Sequence, residues 1–113
     1  MRIVFLLSSI IPLSQLLACG PDCQSTCNRL YQKDQCSLPT TGSSVDEKVK
    51  YCLSECNSAL ETPGTQGEYN PNNETSSSER PELTNDQQAA AWMDCIDNTA
   101  CQNLESNFCA PIW

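Results

Sequence analysis

The sequence predicts a small all-α module stapled by disulfides, a helical hairpin followed by one or two further helices. Three observations predict it. The pairs Cys23/Cys27 and Cys52/Cys56 each have three residues between them and sit in stretches of helical apolar periodicity. Large apolar residues are few in a chain of 113 residues that carries nine cysteines. A domain this small rarely holds together by its core alone, so cross-links are expected to replace missing core.

Residues 1–18 stand apart from that module. Arg2 is followed by the apolar stretch Ile3–Leu17, the charged start and short apolar run of a signal peptide. Ser8, Ser9, Pro12, Ser14 and Gln15 interrupt the run, which is shorter than the ~20 apolar residues that span a bilayer. A buried N-terminal helix is disfavoured, because nothing later in the chain is apolar enough to cover it.

The end of this segment reads Leu16-Leu17-Ala18-Cys19-Gly20. An ordinary signal-peptidase cut after Ala18 would place bulky Leu16 where a small residue is preferred. A cut after Gly20 would put Pro21 immediately downstream. The four residues ending at Cys19 resemble the lipobox of small cysteine-rich bacterial lipoproteins, with Leu17 standing where Ala or Ser is more usual. That resemblance covers about nineteen residues. It implies that the Cys19 thiol receives a diacylglyceryl group, that the bond before it is cut, and that the new amine is acylated, commonly with palmitate. The partner it implies is the lipid bilayer. Gly20 in place of an aspartate there implies sorting to the outer membrane, on its periplasmic or surface side, if the host is Gram-negative.

Cysteine counting agrees. Nine is odd, and an exported protein with an odd count leaves one thiol to account for. With Cys19 lipidated, Cys23, Cys27, Cys36, Cys52, Cys56, Cys95, Cys101 and Cys109 remain, an even set able to form four bridges. One acyl chain binds a membrane only marginally at about 0.8 kcal/mol per methylene, whereas two or three hold it durably. Only Gly20, Pro21 and Asp22 lie between Cys19 and Cys23, so the folded part is expected to sit close to the membrane.

The first helix is expected over 21–34, with Pro21 at its first position and Asp22 in its first turn. Cys23, Cys27, Leu30 and Tyr31 form its single apolar face. Residues 37–44 are turn-forming. Ser44 followed by Glu47 is a capping-box signature for a second helix running to about 60. Its apolar face is Val45, Val49, Cys52, Cys56 and Leu60, and Pro63-Gly64 stops it. Residues 19–60 thus comprise the lipidated cysteine and the hairpin.

Residues 61–82 are polar and rich in Pro, Gly, Ser and Asn, the composition of a flexible linker or long loop. Asn73-Glu74-Thr75 matches an N-glycosylation acceptor, a match that arises readily by chance in such a stretch. Residues 83–113 are expected to hold the C-terminal cysteine-containing helices. Thr84 with Gln87 suggests a cap for a third helix over 85–98, with Ala89, Trp92, Met93 and Ile96 on one face. Trp92 and Met93 fall at core spacing rather than forming a ligand platform. A short fourth helix over 100–109 would gather Cys101, Leu104 and Phe108.

Cysteines four apart lie one turn apart on the same helix face. Two such helices packed antiparallel could form the rungs Cys23–Cys56 and Cys27–Cys52. Eight cysteines pair in on the order of a hundred ways, and spacing alone does not select among them. With both rungs in place, Cys36, Cys95, Cys101 and Cys109 keep three pairings open. The twin spacing resembles the plant α-hairpinins and the small chaperones of the mitochondrial intermembrane space. The segment between the pairs, 28–51, is longer here than in either, and neither resemblance reaches residues 61–113. It implies hairpin geometry and no activity.

Other chemistries lack their residues. The chain has no histidine, which removes the commonest general base and imidazole metal ligand. The two Cys-x3-Cys units fit a zinc site loosely, but an oxidising compartment favours disulfides. No metal or cofactor is therefore expected. A thioredoxin-like Cys-x-x-Cys and a Gly-rich phosphate loop are both missing from the sequence. Asp94 and Asp97, one turn apart, read as a solvated face. Without residues 1–18 the chain loses only Arg2 of its six Lys/Arg and none of its fourteen Asp/Glu, leaving a charge near −9. Nucleic-acid binding needs clustered cations and is not expected.

The expected function is that of a non-enzymatic, lipid-anchored cell-envelope protein with an accessory or interaction role. The alternative is a secreted disulfide-rich inhibitor or antimicrobial module, for which Lys33, Lys48 and Lys50 are the only candidate cations near the bend.

Overall fold

Asp22, rather than Pro21, opens the first helix, α1 (Cys23–Tyr31). The structure, a computed structural model, describes residues 21–73 and 81–113. The expected signal peptide and Cys19 lie outside the described residues, as do residues 74–80 of the connection. Asp22 Oδ1 accepts the Ser25 N–H at 2.7 Å, and Ser25 Oγ accepts the Asp22 N–H at 3.1 Å. This reciprocal cap satisfies two donors that a helix start leaves orphaned. The Ser25 N–H, and then its hydroxyl, hold the Asp22 carboxyl below its usual range. Pro21 stands one position before the cap.

α1 ends at Tyr31, short of the expected residue 34. The reason is non-local. The Cys36 N–H donates to Arg29 O and the Leu38 N–H to Leu30 O, both at 2.9 Å, folding the chain back along the helix end. Ser37 takes a left-handed φ of 50° to allow it. A helix continued to residue 34 would carry Cys36 and Leu38 away from these carbonyls.

The chain re-enters helix after a turn at Gly42, whose φ of 77° suits a residue with no side chain. Ser44 Oγ accepts the Glu47 N–H at 3.1 Å and starts α2 (Val45–Leu60). Val49, Cys52, Cys56 and Ala59 are its buried stripe, with Val45 half-buried beside them. Leu60, expected on that stripe, is 40% exposed. Helical steps of three and four alternate, so after Cys56 the inner position falls on Ala59 and Leu60 turns outward.

α3 (Asp86–Asp97) lies one residue inside the expected span at each end. Asn85 is its cap, accepting the Gln88 N–H at 3.0 Å. Gln88 Oε1 accepts both the N–H and the hydroxyl of Thr84, at 2.9 and 3.0 Å. The Thr84/Gln87 cap read from sequence is thus shifted by one residue at each partner. Ala89, Trp92, Met93, Cys95 and Ile96 are buried. α4 (Cys101–Glu105) is half the length expected, because Asn107 and Cys109 adopt φ near +60° and turn the chain aside. That turn delivers the Cys109 N–H to Pro71 O at 2.9 Å.

The described residues thus form four helices and no strand, with α1, α2 and α3 packed against one another. Seven of the nineteen buried apolar residues among them are cysteines, so cross-links fill positions that aliphatic side chains would occupy in a larger core. Arg29 joins α1 to α3: its Nε donates to Ile96 O at 3.0 Å and its Nη2 to Thr99 O at 2.7 Å. α3 has no basic residue in its own last turn, and Arg29 supplies the cation that its exposed carbonyls favour. No helix of the described residues is long and apolar enough to cross a membrane.

Residues 61–73 contain no helix, yet they are tied to the start of α3. The Asp86 N–H donates to Thr62 O at 2.9 Å, the Gly64 N–H to Asp86 Oδ1 at 3.2 Å, and Asn85 Nδ2 to Thr65 O at 2.8 Å. A Cβ on Gly64 would lie 2.6 Å from Asn85 Cβ, so only glycine permits this approach.

Two predictions follow from these ties. Arg29→Met should lower unfolding free energy by about 1.5–3 kcal/mol, the usual contribution of charge-assisted hydrogen bonds, as read by urea denaturation of the oxidised chain. Gly64→Ala should cost about 1–3 kcal/mol through overpacking. It should also raise amide exchange at Asp86 and Gln88 while leaving Cys52–Cys56 protected.

Candidate functional site

Antiparallel packing brings the two Cys-x3-Cys pairs face to face. Cys23 is bonded to Cys56 and Cys27 to Cys52, each with Cα atoms 5.8 Å apart. The rise of one turn matches on both helices, so both rungs close without bending either one. Cys36 is bonded to Cys101 across 5.1 Å between Cα atoms, and Cys95 to Cys109 across 5.7 Å. These are one of the three combinations that spacing left open. All eight described cysteines are oxidised, and none offers a thiolate to a metal.

The residues 110–113 form a feature that the helix-by-helix reading missed. Trp92 is fully buried, and its Nε1 donates to Pro111 O at 2.9 Å. The Tyr69 hydroxyl donates to Ala110 O at 2.7 Å. The Tyr31 hydroxyl donates to Trp113 O at 2.8 Å and accepts the Trp113 N–H at 3.2 Å. Trp92 and Tyr31 bury their rings, Tyr69 is half-buried, and all three spend their polar tips on one extended segment. The available signal was the apolar run Ala110-Pro111-Ile112-Trp113 itself.

Held in this way, the Trp113 ring packs edge-on against Trp92 at 5.5 Å and against Tyr51 at 5.8 Å between centroids. Tyr51 is 51% exposed on α2. Beside Trp113 lies a groove of about 310 Å³, whose lining includes Leu38, Pro39, Leu104, Glu105 and Ile112. Trp113 also lines an open cleft of about 380 Å³ with Ser43, Glu47 and Tyr51. Lys48 borders both. Two rings, an amine and two carboxylates suit a site that holds a ligand by ring contact and hydrogen bonds. Of the three lysines singled out in the sequence, only Lys48 belongs to it. Lys33 lies in the turn after α1 and Lys50 on α2, both exposed.

Burial pushes the Tyr31 phenol up to about 12, against the opposing effect of its bond with the Trp113 backbone. Burial raises Tyr69 as well. Comparison with family models, with curated proteins and with solved structures finds no match to this chain.

The Tyr31 shift has a definite sign. A phenol ionises near 10 when unfolded, so the fold favours the neutral form. The stability contributed is fully present below about pH 10 and is lost as pH rises through about 12. The tyrosinate absorbance that disappears in Tyr31→Phe should therefore titrate near 12 in the folded chain and near 10 in the reduced, denatured one. Tyr31→Phe should also cost about 1–2 kcal/mol at neutral pH by leaving the Trp113 backbone unpaired.

Proposed function

We propose that the chain is a non-enzymatic, lipid-anchored cell-envelope protein with an accessory or interaction role, tethered through acylated Cys19. One observation carries the reading. Eight of the nine cysteines bond to one another, which leaves Cys19 without a cysteine partner in the chain. The lipobox-like residues Leu16-Leu17-Ala18 precede that same cysteine.

The hairpin supports a definite orientation for such a protein. The four residue steps from Cys19 to Cys23 reach at most about 14 Å. Cys23 is bonded to Cys56, so the start of α1 and the end of α2 form the membrane-facing end. Leu38, Pro39, Ser43 and Lys48 lie at the opposite end of the hairpin, and the groove beside Trp113 would face away from the bilayer. An interaction surface placed there is open to other envelope components.

The test is the intact mass of the protein purified from its native host. The expected mass is that of residues 19–113 plus acyl groups, with eight cysteines oxidised. Cys19→Ala should abolish the acyl mass and leave residues 1–18 attached to the chain, read by the same intact-mass measurement. An unmodified Cys19, or a dimer bridged through it, would overturn the proposal.

A further inference from the structure

The four bridges differ in what solvent can reach. Cys23, Cys27, Cys52, Cys56, Cys95 and Cys109 are at most 4% exposed, and Cys36 is 6% exposed. Cys101 is the one described cysteine that is not fully buried. Its bridge to Cys36 also has the longest sequence separation, 65 residues.

That bridge lies where the groove depends on it. Cys36 stands two residues before Leu38 and Cys101 three residues before Leu104, and both leucines line the groove. The bond thus ties together the two chain segments that line the groove beside Trp113. α4, which supplies Leu104 and Glu105 to the groove, is five residues long and has no side-chain hydrogen bond at its cap. Its backbone makes few close approaches to α1, α2 and α3, and Leu104 is the one buried side chain it contributes. An element so held opens locally at lower cost than the helices joined by the ladder.

We propose that Cys36–Cys101 is a site of thiol–disulfide exchange with an external dithiol, and that its cleavage unclamps the Trp113 groove while the Cys23–Cys56 and Cys27–Cys52 ladder stays closed. One thiolate of the dithiol attacks Cys101 Sγ and forms a mixed disulfide; Cys36 leaves as thiolate and takes up a proton. The second thiolate of the dithiol then attacks its own partner sulfur, breaking the mixed disulfide and releasing Cys101 as thiolate, which is protonated in turn. Two electrons and two protons pass to the protein, and the dithiol becomes a disulfide. The inference does not depend on the anchor.

The experiment is graded reduction of the native, full chain with dithiothreitol, trapping with iodoacetamide and mapping the labelled peptides. Cys36 and Cys101 should be labelled first, at least about tenfold faster than the other six, the ratio that 1.4 kcal/mol in opening free energy gives. Opening of another bridge first, or of all four together, overturns the proposal. In the chain alkylated only at Cys36 and Cys101, the fluorescence that Trp113→Phe removes should shift red and become more readily quenched by acrylamide, with helical circular dichroism retained. An unchanged Trp113 signal, or loss of the helical signal, overturns the clamp.

Discussion

The matched rise of two antiparallel helices, one turn between cysteines on each, is the constraint on which the rest of the structure depends. It allows Cys23–Cys56 and Cys27–Cys52 to close as parallel rungs, and those rungs hold α1 against α2 where large apolar side chains are scarce. Each bridge of this span contributes about 2–4 kcal/mol, mainly by restricting the unfolded chain. Leu30, Tyr31, Val49 and Ala59 share one buried cluster with these cysteines. α3 completes the core by presenting Trp92 and Ile96, both fully buried, to a surface that the ladder has already fixed.

With the hairpin fixed, polar atoms decide the remaining geometry. Arg29 reaches from α1 to the carbonyl end of α3, and Tyr31 reaches to the backbone of Trp113. Both residues belong to one helix, so the position of α3 and the position of the 110–113 segment are referred to a common support. A groove lined by residues 38–39 and 104–105 can keep its shape only if such distant segments share a reference.

What was legible in the sequence follows the range of the interaction concerned. Helical periodicity is local, and Cys23, Cys27, Leu30 and Tyr31, or Ala89, Trp92, Met93 and Ile96, fall on buried faces as their spacing requires. Caps are local too, although Asn85 displaced Thr84 because both residue types serve. The end of α1 was not legible, since the carbonyls of Arg29 and Leu30 are claimed by Cys36 and Leu38 from outside the helix. The length of α4 depends on Pro71 for the same reason. The clasp on 110–113 leaves even less trace: Trp92, Tyr31 and Tyr69 all bond backbone atoms, which carry no residue code. The lipobox-like segment raised the one reading that concerns location rather than fold.

The order in which the bridges interleave has a consequence for chain integrity. Cys27–Cys52 nests inside Cys23–Cys56, and Cys95–Cys109 lies wholly beyond residue 82. Cys36–Cys101 alone crosses the connection 61–82. A peptide bond hydrolysed anywhere in that polar stretch therefore leaves one covalent molecule instead of two fragments. The halves remain joined at a single sulfur–sulfur bond, and a nicked chain would come apart only under conditions that reduce it.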